Sequence, residues 1–382
     1  MIDRERMTDF VMELMRTDSL SKEEGAVADK LAHALRELGA EVRIDDAGVA
    51  VGGATGNVVA RLPGTVSAPP LLLNSHMDTV PPGKGVKPAR DNGRIRTDGT
   101  TILGGDDKSG VAAIIEVLRT LTQHSLPHGD VEVAFTICEE VGLLGAKHLD
   151  LSSLRSKEAL VLDAPSPAQL VVKAPSADRF DFVIHGLEAH AGMTPEAGIS
   201  AVRVAAEAIA AMPLGRVDPQ TTSNVIILEG GVAANVVPNR CVIRGEARSH
   251  DDATLDRVTA QIRRSVQDAA AKASIALDGT TARAWVEERC EREYERMAVP
   301  DDAPIVTLMK DAARDLRRPM ETVTIGGGSD ANVFNAKGLP AVILGTGMRD
   351  IHTVNEWLDL DDFYACAELV LRALTLRAAT TA

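Results

Sequence analysis

Between about Lys22 and Leu38, apolar residues recur three and four apart, the spacing of one helix face. Ser21 stands where it could cap the first turn, Glu24 where it would complete a capping box, and Gly39 where a left-handed stop is expected. Strand-like stretches follow at Glu41 to Ile44 and Asn57 to Leu62. The run Leu71-Leu72-Leu73 then leads into Asn74-Ser75-His76. Val111 to Leu121 reads as a buried helix, Val131 to Ile137 as a strand and Ala159 to Leu162 as another. Strands alternating with helices predict a largely parallel sheet covered on both faces.

Past Ala174 the texture changes. Arg179 to Ile184, Ser223 to Leu228 and Cys241 to Arg248 alternate as strands, while Ile199 to Met212 and Ala253 to Lys272 carry helical periodicity. That is the β-α-β-β-α-β order of a small α+β, ferredoxin-like module. After Pro300 the first texture returns, with a helix at Ile305 to Leu316, strands at Thr322 to Ile325 and Ala341 to Leu344, and a last helix from Leu360. The expectation is an α/β fold, a mostly parallel sheet domain formed by 1–174 and 291–382, with a smaller domain inserted at 175–290.

Composition narrows this only slightly. A chain of 382 residues exceeds one ordinary core, which agrees with two domains. Aromatics make up 3% of the residues, so the core must rest on aliphatic side chains. No apolar run approaches the ~20 residues that span a bilayer, and MIDRERMTDF lacks the apolar stretch of a signal peptide. Cys138, Cys241, Cys290 and Cys366 lie far apart with no CxxC spacing, which predicts neither a disulfide framework nor a Cys-based zinc site. A reducing, cytoplasmic setting is expected, with no membrane partner. The formal charge of −14, with basic residues dispersed, argues against nucleic acid as a partner.

Acidic residues matter more by position than by number. His76 and Asp78 fall two apart at the end of an apolar strand, so both sit on one side, where a carboxylate could orient a metal-ligating imidazole. Alone, such a pair is more often a structural turn. Gly105-Asp106-Asp107-Lys108-Ser109-Gly110 opens a helix; its two carboxylates would repel a phosphate, leaving an ordinary N-cap or a cation ligand. The strand Val131 to Ile137 runs straight into Glu139-Glu140, adjacent acids that repel unless a cation intervenes. With a metal present, one can ligate while the other takes a proton from water. Asp163 ends another strand, and His352 precedes the last helix. Two histidines and several acids at strand ends make the set that two oxygen- and nitrogen-ligated metals require.

Seven segments in order, SHMDTVPPGKGVKP, DGTTILGGDDKSG, TICEEVGLLGAKHL, VLDAPSP, HGLEAHAG, GGGSDAN and IHTVNE, resemble the M20 metallopeptidases. DGTTILGGDDKSG and an Asp at position 163 point to the peptidase T-like, tripeptidase-like branch. The resemblance spans essentially the whole chain. It implies a two-metal hydrolase that removes the N-terminal residue from short peptides, with Zn2+ favoured and Co2+ or Mn2+ able to serve. Asp106 would bridge the metals, His76 and Asp163 would complete one site, and Glu140 and His352 the other. Glu139 would be the general base, and Asp78 would orient His76. A cis peptide is implied at Asp106-Asp107. The inserted module would be the lid and dimerisation domain of a homodimer, with His190, Asn235 and Arg248 contacting substrate. Gly327 and Ser329 would do so from the glycine run. HGLEAHAG departs from the usual pattern in having Ala191 after His190, where proline is common.

Three other readings stay open. One is a metal-dependent amidohydrolase or deacylase acting on N-acyl amino acids. Another is a serine hydrolase built on Gly327-Gly328-Ser329-Asp330-Ala331 with His352. The last is a non-catalytic peptide- or metal-binding protein on the same fold.

Overall fold

A computed structural model describes residues 1–277 and 279–379. These divide into two compact units, one from Met1–Ala174 together with the chain from Met297 onward, the other Pro175–Arg296.

The larger unit is built on a sheet whose central strands run Val131–Thr136, Leu71–His76, Ala159–Ala164 and Ala341–Gly345, all paired in parallel. The flanking strands Glu41–Ile44, Val58–Leu62 and Gln169–Ala174 pair antiparallel at its margins. Leu71–His76 and Val131–Thr136 are buried at every position, so both faces of the sheet are covered. The helices Arg4–Met15, Gly105–Gln123, Pro304–Asp315 and Leu360–Ala379 pack on one another as one layer, and Ala47–Val51, Leu144–His148 and Asp330–Ala336 form another group. Arg4–Met15 was not foreseen, because its Arg, Glu and Asp positions mask the apolar face formed by Met7, Val11, Leu14 and Met15.

The helix after Ser21 runs Gly25–Glu37 and has no side-chain cap. The capping box expected there does not form. Lys22 adopts φ 77° and turns the chain, so that Ser21 and Glu24 serve the site described below instead. A second small sheet, Met348–Arg349, Trp357–Asp359, Arg94–Arg96 and Ala89–Asp91, was also unforeseen. Its strands have two or three residues each, too few for any alternation to register. Its first hairpin carries His352 in its loop.

The smaller unit is an antiparallel sheet in the order Gly215–Asp218, Thr221–Gly230, Arg240–Ser249, Ser176–His185, Trp285–Tyr294. Helices Ala201–Ala211 and Asp252–Lys272 pack against it. With the short first strand and the separate hairpin Ser274–Leu277/Thr280–Arg283 set aside, element order and strand order are those of a ferredoxin-like module. Phe180, Phe182, Ile184, Val204, Leu255, Ile262 and Val266 form its core. The chain returns to the larger unit at Met297 and not at 291. Trp285–Tyr294 continues to pair with Ser176–His185 through Tyr294, and its run of Glu and Arg residues hides the strand period. Among the described residues, no helix is long and apolar enough to cross a membrane.

Candidate metal centre

The parallel register assembles the centre. His76 lies opposite Thr136 and Asn74 opposite Val161, so the strands carrying His76, Glu139-Glu140 and Asp163 finish at one edge of the sheet. The helix Gly105–Gln123 packs on two of those strands. At its start Asp106 and Asp107 depart from helical geometry and their peptide bond is cis. A Cβ on Gly110 would meet the carbonyl of Leu162 at 2.3 Å, so this helix lies directly against the strand of Asp163.

Ligand-type atoms converge there. His76, Asp106 and Glu140 each offer one within 4.8 Å of the others, and so do His76, Asp107 and Asp163. His76 Nε2 is 3.1 Å from Asp106 Oδ1, and His352 Nε2 is 3.2 Å from Asp106 Oδ2 and 2.9 Å from Glu140 Oε1. Asp106 thus faces both imidazoles, one through each oxygen. Asp107 did not stand out from its neighbour in the sequence. Its carboxylate accepts from the Ser75 hydroxyl and the Gly110 N–H beside Asp163.

Asp78 is completely buried and holds more than His76. His76 Nδ1 lies 3.0 Å from the Asp78 carbonyl and 3.4 Å from its Oδ1. The same carboxylate accepts from the N–H of Glu139 at 2.9 Å, the N–H of Glu140 at 3.2 Å and the Ser21 hydroxyl at 2.7 Å. Glu24, also buried, accepts the Cys138 N–H at 3.0 Å. The turn that presents Glu139 and Glu140, entered through Cys138 at φ 52°, is therefore held by two carboxylates from elsewhere in the chain.

Charge in this cluster is crowded. Burial pushes the Glu139, Glu140 and Asp163 carboxyls above their usual range, with neighbouring carboxylates adding to it. Burial would also raise Asp106, but the His352 and His76 imidazoles outweigh it and hold Asp106 well below. Burial would lower His76, yet Asp106 and Asp78 carry it well above its ordinary value. Asp106, then Glu140, push His352 up to about 10. Buried acids of one sign around two imidazoles are the donor set a divalent cation compensates, so these residues fit two metal ions.

Glu356, within the IHTVNE segment, was not singled out by its type or spacing. It is buried, and its oxygens accept from the backbone N–H groups of Leu103, Gly104 and Asp106. Burial pushes its carboxyl up to about 7 against those amides.

The glycine run ends differently from the serine-nucleophile reading. The Ser329 hydroxyl accepts from Ala331 N–H and joins a capping box with Asn332 at the start of Asp330–Ala336. It is buried and committed to the helix, which removes that reading and leaves Ser329 little to offer a substrate through its side chain. A Cβ on Gly327 would meet nothing within 4 Å, so the backbone there stays approachable.

In the smaller unit, His190 and Asn235 are neighbours: His190 bridges to Val236, and the Ala191 N–H donates to the Asn235 carbonyl. His190 Nδ1 accepts from the N–H groups of Gly192 and Met193 at 3.2 and 3.1 Å. That arrangement places the imidazole proton on Nε2, a donor directed away from its own loop. Arg248 forms an ion pair with Glu246 at 2.8 Å, so its fork is engaged within the unit.

Comparison with known proteins agrees with this layout. The family described as Peptidase family M20/M25/M40 matches residues 72–376. Aminopeptidase PepT from Bacillus cereus is 37% identical with TM-score 0.85, each chain covered to 99%. A tripeptidase from Staphylococcus aureus is 34% identical with TM-score 0.88, covering 99% of this chain and 100% of that one. Peptidase T from Vibrio cholerae is 27% identical over 383 aligned residues, 90% of this chain and 89% of that protein.

Proposed function

The chain belongs to peptidase family M20/M25/M40, and from that premise we infer that it removes the N-terminal residue from short peptides, tripeptides above all. The observation that carries the reading is the cluster of His76, Asp106, Glu140, Asp163 and the half-exposed His352 beside Glu139. Full-length similarity above 30% to an aminopeptidase and a tripeptidase supports the substrate class.

His76 and Asp163 would hold one divalent ion and Glu140 and His352 the other, with Asp106 shared between them. When bound, such ions lower the pKa of water and polarise the scissile carbonyl. Zinc suits the mixed imidazole and carboxylate donors, and cobalt or manganese can replace it. Glu139, whose carboxyl is raised by burial, takes a proton from the attacking water and returns it to the leaving amine nitrogen. Asp78 keeps His76 and the Glu139 turn in position. His190 offers Nε2–H to a substrate oxygen, and Asn235 and Arg248 recognise the peptide's carboxylate end, Arg248 by exchanging Glu246 for it. The Gly327 backbone lies along the substrate.

The reading includes a cytoplasmic homodimer formed through the smaller unit. Ile226 and Leu228 are exposed on Thr221–Gly230, where the short strand Gly215–Asp218 pairs only with its beginning. A monomer by light scattering would remove that part alone.

The deciding experiment measures release of the N-terminal residue from di- and tripeptides beside N-acetyl amino acids. It uses zinc, cobalt or manganese, a chelated sample and Glu139→Gln. Metal-dependent tripeptide cleavage absent from the variant supports the reading. Turnover of acylated substrates alone would make the protein a deacylase, and chelator-resistant turnover would end the two-metal mechanism.

A further inference from the structure

Glu356 is 1% exposed and takes no part in the chemistry above. Its Oε2 accepts from Leu103 N–H at 2.7 Å and Gly104 N–H at 2.8 Å, and its Oε1 from Asp106 N–H at 3.0 Å. All three bonds go to backbone, so what this carboxylate sets is the path of the chain into Asp106. Gly104 lies at φ 72°, and a Cβ on Gly105 would stand 3.1 Å from Glu356 Oε1. The segment is therefore shaped closely around the carboxylate.

Glu356 also ends the hairpin loop that carries His352. The strands Met348–Arg349 and Trp357–Asp359 pair on either side, and the Glu356 N–H donates to the Thr353 carbonyl at 3.1 Å. Within the loop, Asn355 N–H donates to the Thr353 hydroxyl, which donates to the Asp350 carbonyl. One carboxylate thus clamps together two segments far apart in sequence, each carrying a residue of the Asp106–His352 pair. A buried carboxylate is a costly way to hold a loop, since it must be stripped of water before any bond is made. A clamp whose rigidity matters at a neighbouring site accounts for its presence there.

His76 and Asp163 are held independently, by the central parallel strands. The two ion positions consequently depend on Glu356 to different degrees. We propose that Glu356 is a positioning residue that sets chiefly the affinity of the ion held by Glu140 and His352, reaching the His76 and Asp163 ion only through the Asp106 shared between them. This rests on the two-metal reading above.

The test is cobalt(II) titration of chelator-treated protein, followed by calorimetry and visible absorption, for the unsubstituted chain, Glu356→Gln and Glu356→Ala. The unsubstituted chain should bind two ions. In Glu356→Ala one step should weaken by about 10–100-fold, the range for residues that orient metal ligands, with the other weakened clearly less because only the shared Asp106 links it to Glu356. Glu356→Gln keeps the volume and one acceptor oxygen but turns an NH2 toward an N–H, so it should fall between the two. Its activity should recover when metal is raised, which a purely structural lesion would not allow. Unchanged titrations, or equal weakening of both steps alongside a matching fall in Tm, would overturn the proposal. Should Glu356→Ala fail to fold, the Gln variant decides by the same criteria. Fewer than two ions on the unsubstituted chain would instead defeat the two-metal reading itself, and the proposal with it.

Discussion

The carboxylate of Asp78 accepts a hydrogen bond from the backbone N–H of Glu139 at 2.9 Å, while its other contacts reach His76, Glu140 and Ser21. A residue expected only to orient an imidazole therefore also fixes the turn that presents Glu139, the proposed general base. Replacing it disturbs two things at once.

Asp78→Asn keeps the shape but supplies an NH2 where N–H donors already point. The expected result is a fall in kcat of about 10–100-fold. Ser21→Ala removes one of several donors to the same carboxylate, worth about 1 kcal/mol, and should lower kcat only about fivefold. Steady-state kinetics on a tripeptide, with metal content measured in parallel, checks both. Equal losses in the two variants would contradict the ranking.

Glu139 and Glu140 are adjacent but differently placed: the Glu140 carboxylate lies 2.9 Å from His352 Nε2, whereas among the described residues Glu139 makes no such pair. Glu139→Gln should lose about 10²–10⁴-fold in kcat while binding metal normally. Glu140→Gln should lose metal first, with activity partly restored at high metal concentration. Metal analysis after dialysis separates the two, and metal loss from Glu139→Gln would reverse the assignment.

Proton competition sets the sign of the pH dependence. In the metal-free protein Asp106 and Glu140 push His352 up to about 10, so its proton must leave before Nε2 can hold an ion. The raised Glu139, Glu140 and Asp163 carboxyls act in the same direction. Apparent cobalt affinity should rise between about pH 6 and about pH 8, by about tenfold per pH unit for each proton released. For His352 itself, the stabilisation of metal-free protein is present below its ordinary 6.5 and fades as pH rises toward about 10. The gap in Tm between metal-loaded and metal-free protein should therefore widen with pH. A pH-independent gap would show that these groups do not titrate on metal loss.

Gly110 gives a packing prediction. An added methyl would meet the Leu162 carbonyl at 2.3 Å, Asp107 Oδ1 at 2.7 Å and the Ser75 hydroxyl at 2.8 Å. Gly110→Ala should destabilise by about 1–3 kcal/mol and displace the helix from the strand of Asp163. Thermal melts and cobalt titration together should show both effects. A variant as stable as its parent would mean the helix can shift without cost.

Much of this was legible in the chain because it follows from period and position. The apolar runs before His76 and before Glu139-Glu140 mark strands, and parallel pairing carries their ends to one edge. The motif order supplied the rest of the candidate metal-ligand set. Glu356 escaped because its partners are backbone amides some 250 positions away, which leave no trace in composition or spacing. Ser21 and Glu24 misled for a related reason: a hydroxyl and a carboxylate three apart before a helix fit a local cap, and only the fold brings Asp78 and Cys138 within their reach. Trp285–Tyr294 was obscured by charged side chains standing on a strand.

The inserted unit leaves Ala174 and returns at Met297, and those two residues pair directly in the larger sheet. Just inside them, the Arg296 N–H donates to the Ser176 hydroxyl at 2.7 Å. Once the smaller unit has folded, its two ends already lie side by side, and the larger sheet closes across them as it would across a short turn. The loop-closure entropy of the intervening chain, which grows only logarithmically with length, is then absorbed by the folding of the insert itself. The kinetic consequence is an ordering: substitutions that slow folding of the insert should delay pairing of Gln169–Ala174 with Met297–Ala298 and of Ala159–Ala164 with Ala341–Gly345, while the core strands that precede the insert, Leu71–His76, Val131–Thr136 and Ala159–Ala164, pair with one another at their own rate.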